Sequence, residues 1–196
     1  MSTRRLLYIA IFTALITVGG LVSVPVPFTQ VQLSFQTVFV VMSGLVLGGR
    51  DGAFSVLVYI AMGLLGLPVF TQGGGLGYVL MPSFGYLIGF PIGAAVAGAL
   101  RSKLKTSVRG KVFLCALVGM IPVYLFGVTY QVLILYYYTK SAWAAAIGSA
   151  AGVVILMLKD AVLLGCASSL YPSLARAMPH VTHGKLSRRP EKLSSK

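Results

Sequence analysis

The stretch "GLPVFTQGGGLGYVLMPSFGYLIGF", residues 66–90, decides how the chain is read. It joins two apolar segments, yet it carries Pro68, Pro82 and the run Gly73, Gly74 and Gly75. Glycines and prolines interrupt helices. Interrupted backbone is tolerated at membrane depth only where protein buries it or where it lines a cavity. The stretch therefore predicts a helical bundle with a hollow, roofed by an infolded loop.

The composition sets the solvent. The chain has 196 residues, 57% hydrophobic and 10% charged, with a mean hydropathy of +0.91. A soluble domain carries about 25% charged residues. The bilayer is the expected environment. Sixteen Lys and Arg stand against three acids, a net charge of +13. An excess of this size can mark a nucleic-acid binder. Here the basic residues fall between apolar blocks and in the tail, as membrane-flanking charges do. Cys115 and Cys166 both lie in apolar runs and read as packed free thiols. Arg4-Arg5 before an apolar run imitates a signal peptide, but no small-x-small cleavage site follows, so an uncleaved first span is expected.

Six spans are expected at about 6–24, 33–47, 53–67, 85–100, 112–135 and 154–177. They form a single transmembrane domain over 1–178, an all-α membrane protein, with a basic cytoplasmic tail at 179–196. The last apolar run is too long for one span of about 20 residues. It divides into a short interfacial piece, 141–151, and the final helix. The "GGRDG" of 48–52 reads as a tight turn, and "PVPFTQVQ" of 25–32 as a polar link. Blocks two and three are the opposite case. At 1.5 Å per residue they reach ~22 Å, short of the ~30 Å hydrocarbon core. Short helices joined by long loops on one side leave the hollow. With both termini cytoplasmic, fourteen of the sixteen basic residues lie inside, Lys140 lies outside, and Lys159 lies in or near a span. The glycine loop then faces outward, where a solute arrives.

Asp160 is the most informative residue, the sole carboxylate within an apolar stretch. An intramembrane ionisable group is costly and usually faces a cavity or a partner. Two readings stand: a structural charge with Lys159 snorkelling to the interface, or a ligand-binding acceptor near the start of the last helix. Adjacent helical positions point about 100° apart, so Lys159 and Asp160 need not pair. Gln36 is either interhelical glue or a ligand contact. Gly73, Gly74 and Gly75 form either a flexible loop or a set of N–H groups open to a ligand. Ala10 and Ala14 make a small-xxx-small pair on the first helix, as Gly89/Gly93 and Gly148/Gly152 do elsewhere; such pairs let helices approach closely. The chain has no G-x-x-x-x-G-K-[ST] motif and hence no P-loop nucleotide hydrolysis of its own. It has no H-E-x-x-H or G-x-S-x-G motif and no visible metal cluster, and His180 and His183 sit in the tail. A cofactor is not expected.

At these residues the chain resembles the BioY family, the biotin-specific S components of energy-coupling factor (ECF) transporters. The resemblance runs through "VPVPFTQVQLSFQTVFVVMSGLVLGGRDGAFSVLVYIAMGLLGLPVF" (24–70) and "GGGLGYVLMPSFGYLIGF" (73–90), and continues more weakly to the end. Its most specific elements are the Pro-Phe-Thr link, Gln36-Thr37, the Leu47-Gly48 turn with Gly52-Ala53, and the run Gly66 to Phe70. The resemblance implies a six-transmembrane-helix bundle of the ECF S-component type. It implies a non-enzymatic subunit that binds biotin near the outer face of the plasma membrane. It further implies docking on a transmembrane coupling subunit with two ATPase subunits, through Ala10 and Ala14.

Biotin's chemistry then distributes roles. The ureido ring has two N–H donors and a carbonyl acceptor, which suit Asp160 and the Gln36 amide. The valerate carboxylate wants a cation or N–H groups; Lys159, Tyr86 and the amides of Gly73 to Gly75 are candidates. Phe35, Phe70 and Met81 are candidate apolar walls. One departure stands out. The family commonly reads Pro-Gly-Asp-x-x-Lys at the final helix. Here Asp160 is kept, Leu163 takes the Lys position, and Lys159 takes the Gly position. Lys159 is expected to supply the displaced charge. The alternatives are an S component for another vitamin, an integral-membrane enzyme using Asp160 as general base, and a scaffold without a small ligand.

Overall fold

The computed structural model describes residues 3–25, 31–104, 108–138, 140 and 143–177. The tail expected at 179–196 lies outside them. Helix α1 (Thr3–Leu21) leads to two short strands, β1 (Ser23–Val24) and β2 (Leu33–Ser34). They pair antiparallel, Ser23 with Ser34 and Val24 with Leu33. Then come α2 (Gln36–Leu47), α3 (Gly49–Leu64), a 3-10 turn (Leu76–Leu80), α4 (Phe84–Leu104) and α5 (Arg109–Leu133). A π-turn (Ile134–Tyr138) extends α5, and α6 (Trp143–Ala151) and α7 (Val153–Ala177) close the chain.

Helix α2 is the centre. Every residue from Gln36 to Leu47 except Phe39 is buried. A helix apolar on all sides belongs inside a protein or a membrane. This one is wrapped by α1, α3, α4, α5 and α7, so its 12 residues do not have to match the bilayer. Four helical stretches are long and apolar enough to cross a membrane: Thr3–Leu21, Phe84–Leu104, Arg109–Tyr138 and Ile147–Leu174. Their outer faces carry exposed Leu7, Leu114, Ile121, Leu125, Leu158 and Val162. In water such a surface would drive aggregation; in lipid it is solvated.

The run read as a turn at 48–52 is only partly one. Gly48 alone breaks the chain, at φ +88° and ψ 159°, a region open only to glycine. Gly49 to Gly52 already belong to α3. The Asp51 carboxylate in its first turn pairs with the Arg5 guanidinium of α1 and receives Arg5 Nε at 2.7 Å. Small residues also join α4 to α5. A Cβ on Gly89 would come within 2.7 Å of Val123 Cα, and one on Gly93 within 2.6 Å of Gly119 O. The other small pair carries less, since nothing lies within 4 Å of a Cβ on Gly148.

The glycine stretch folds back on the C-terminal end of α3. Phe70 and Gly73 bridge each other, N to O at 2.9 and 3.2 Å, and Gly75 N donates to Gly63 O at 2.7 Å. Gly66, Gly73 and Gly75 have φ of +103°, +112° and +96°, where a side chain is strained. The Phe70 ring lies over Gly63, edge-on to Tyr59 at 5.4 Å and tilted to Tyr78 at 4.5 Å. Tyr59 OH donates to Val69 O at 3.2 Å. The loop is thus a folded cap with its own aromatic core.

Candidate ligand site

Under that cap a cavity of about 40 Å³ opens among the link with β2, the cap and four helices. Val31, Gln32 and Ser34 come from the link and β2, Gln36 and Thr37 from α2, and Thr71 and Ser83 from the cap. Tyr86 and Phe90 of α4, Tyr124 of α5, and Leu156, Lys159 and Asp160 of α7 complete it. Sites for small organic molecules enclose about 300–1,000 Å³. A ring-bearing solute therefore enters only if the walls move outward. Two tethers resist that movement on the link side. Ser23 Oγ donates to Gln32 Oε1 at 2.7 Å, and the Lys159 ammonium donates to the Ser34 carbonyl.

Asp160 is 1% exposed. Tyr124 OH donates to its Oδ2 at 2.6 Å. Its Oδ1 stands 2.5 Å from the Lys159 ammonium, a close charge pair without hydrogen-bond alignment. The two neighbours, which adjacent helical positions do not oblige to pair, do meet, because the long lysine stem spans the gap between their directions. Gln36 is 2% exposed, and its Nε2 has no hydrogen-bond partner among the described residues. The cavity thus holds one buried donor and one buried carboxylate oxygen without hydrogen bonds. Burying the Gln36 donor unbonded costs about 1–3 kcal/mol, while Asp160 Oδ1 is compensated only by the charge of Lys159. A polar ligand relieves that cost.

Asp160, Lys159, Gln36 and Tyr86 converge on the cavity; the other expected residues lie elsewhere. Phe70 is buried in the cap core. Met81 ends the 3-10 turn, 40% exposed, and Phe35 precedes α2, 39% exposed. The Gly73 amide bonds to Phe70 O within the cap, the Gly75 amide bonds to Gly63 O of α3, and Gly74 packs on Leu67 O and Gly63 O. Leu163 packs against the core and does not line the cavity. Cys115 is buried as expected, whereas Cys166 is exposed on the outer face of α7. Ala10 and Ala14 are exposed on α1.

Sequence reasoning did not single out Tyr124, Thr71, Ser83 or the Ser34 carbonyl. Tyr124 was findable in part: Tyr124 and Gln131 stand seven residues apart in one apolar run, hence on one helix face.

The BioY family model matches residues 1–180. A probable biotin transporter BioY of Lysinibacillus sphaericus is 43% identical over 145 residues, 73% of this chain and 73% of that protein. The biotin transporter BioY of Rhizobium etli is 35% identical over 187 residues, 90% of this chain and 100% of that protein. Among solved structures, the S-component for biotin from an ECF-type ABC transporter superposes with a TM-score of 0.77 at 25% identity, covering 90% of this chain and 95% of that one.

Proposed function

The chain belongs to the BioY family, and from that premise we propose that it is the biotin-binding S component of an ECF-type transporter, a non-enzymatic plasma-membrane subunit mediating biotin uptake. The observation that carries the reading is the pair of buried polar atoms in one cavity, Gln36 Nε2 and Asp160 Oδ1. A cyclic urea matches them: its N–H groups donate to the carboxylate, and its carbonyl accepts from the amide. Phe90 and Leu156 form the apolar wall for the thiophane ring. Lys159 serves the ligand carboxylate once the link has moved off it; the amides of Gly73 and Gly75 become available only if the cap opens.

Energy comes from partners, a transmembrane coupling subunit and two ATPases, which fits a chain without a phosphate-binding loop. The inward bias of fourteen of sixteen basic residues supports cytoplasmic termini and puts the cap on the outside.

Calorimetric titration of biotin into detergent-purified protein tests the reading, wild type beside Asp160→Asn. Tight wild-type binding is expected. Hydrogen bonds to a charged group contribute about 1.5–3 kcal/mol, so the variant should lose on the order of 100-fold in affinity. Equal binding by both proteins removes Asp160 from the contact. Folded wild type that binds no biotin overturns the ligand, and a panel of other vitamins follows.

A further inference from the structure

Behind the cavity wall runs a hydrogen-bond chain. Tyr86 OH lies 3.1 Å from Gln131 Oε1, and Gln131 Nε2 lies 2.7 Å from Ser149 Oγ. It crosses from α4 through α5 to α6. Gln131 is fully buried and does not line the cavity; Tyr86 does. We propose that Gln131 and Ser149 are positioning residues that hold the Tyr86 hydroxyl as a hydrogen-bond acceptor facing the cavity, so that the site selects a ligand N–H at that point.

The direction of the chain follows from its atoms. An amide oxygen has no proton, so Tyr86 must donate in the bond to Gln131. The other end of the amide, Gln131 Nε2, donates to Ser149 Oγ. The phenol ring is also fixed. A Cβ on Gly127 would sit 2.4 Å from Tyr86 Cδ1, so α5 is in contact with one face of the ring. The Tyr124 ring meets it edge-on at 5.8 Å and 87°. Only the lone pairs of Tyr86 Oη remain for the cavity. Tyr124 repeats the logic, because its proton points to Asp160 Oδ2. Two phenols on this wall therefore offer acceptors and no proton. A carboxylate brought to Tyr86 would meet lone pairs, whereas a ureido N–H would meet an acceptor. Tyr86 thus serves the ureido end of the ligand and not the valerate end expected from the sequence.

The inference rests on biotin as the ligand, and the test separates the two. Biotin is titrated into wild type, Tyr86→Phe, Gln131→Leu, Ser149→Ala and the pairs Tyr86→Phe/Gln131→Leu and Tyr86→Phe/Ser149→Ala, each checked for folding by its melt in detergent. Tyr86→Phe and Gln131→Leu should each weaken binding roughly five- to tenfold, a neutral hydrogen bond's share. Ser149→Ala, the milder variant, should weaken it a few-fold. In the Tyr86→Phe background, Gln131→Leu and Ser149→Ala should cost less than about twofold more, because they act through Tyr86. Biotin methylated on a ureido nitrogen gives a second readout. Wild type should discriminate against it more strongly than Tyr86→Phe and Gln131→Leu do. Losses that multiply in the pairs, or unchanged binding in Tyr86→Phe, overturn the relay while leaving biotin in place. A folded wild type that binds no biotin removes both.

Discussion

Lys159 and Asp160 differ in what each can do when the other is lost. Asp160 is 1% exposed and short; it has no route to water. Lys159 has a side chain 19% exposed on a long stem, which can carry its charge toward the interface. Removing one member of a buried pair costs on the order of 3 kcal/mol, because it leaves an uncompensated charge. The cost should fall on the aspartate. Lys159→Met is expected to lower the melting temperature in detergent clearly, Asp160→Asn only slightly, and the double variant should recover most of the loss. A Lys159→Met protein as stable as wild type would show that the ammonium does not compensate the carboxylate. At this scale the sequence was legible where a residue type was out of place. A single acid within an apolar run is conspicuous, and so is a glutamine opening a helix of aliphatic residues. Tyr124 was not conspicuous, because tyrosine is ordinary in a membrane protein. The Ser34 carbonyl is backbone, and no residue type marks it.

Helices α2, α3 and α4 meet at glycines. A Cβ on Gly44 of α2 would fall 2.0 Å from the Ala94 carbonyl oxygen of α4, and one on Gly98 would fall 2.3 Å from Gly44 O. The obstacle is backbone, so one helix must shift. Overpacking of this kind costs about 1–3 kcal/mol. On α6, by contrast, Gly148 has open space around it, and alanine in a helix is favoured over glycine by up to about 1 kcal/mol. The same substitution should therefore act with opposite sign. Gly44→Ala should melt several degrees lower than wild type and Gly148→Ala at or slightly above it, in parallel melts. Equal melts for the two would mean that α2 and α4 are not held as closely as drawn. The contrast also explains the misread element. Glycines at 48–52 look alike in a local window. Gly48 turns the chain, while Gly49 faces α4, a Cβ there falling 2.5 Å from Ala95 O. That difference is set by a helix some fifty residues away. The infolding of 66–83, in contrast, followed from the bilayer's intolerance of bare backbone and was readable as such.

For the whole molecule the proposed function raises the question of whether binding and docking are separate. Helix α1 turns Ile9, Phe12, Ile16, Gly19 and Gly20 to the bundle. Thr13 Oγ1 reaches Ser55 O of α3 at 3.0 Å, and Arg5 grips Asp51. The opposite face carries Leu7, Ala10, Ala14 and Val18, all exposed. The two alanines leave a shallow hollow between larger side chains on an otherwise lipid-facing stripe, a surface on which another transmembrane helix can approach closely. No α1 residue lines the ligand cavity. Filling the hollow with Ala10→Leu/Ala14→Leu should therefore leave biotin titration of the isolated protein unchanged within about twofold. Uptake by cells that also contain a coupling subunit and its ATPases should fall by tenfold or more, since two added isobutyl groups prevent close helix contact. Unchanged uptake would move the docking face away from α1. A matching loss of binding and uptake would mean that α1 supports the cavity through the bundle, so that docking and binding share one structural element.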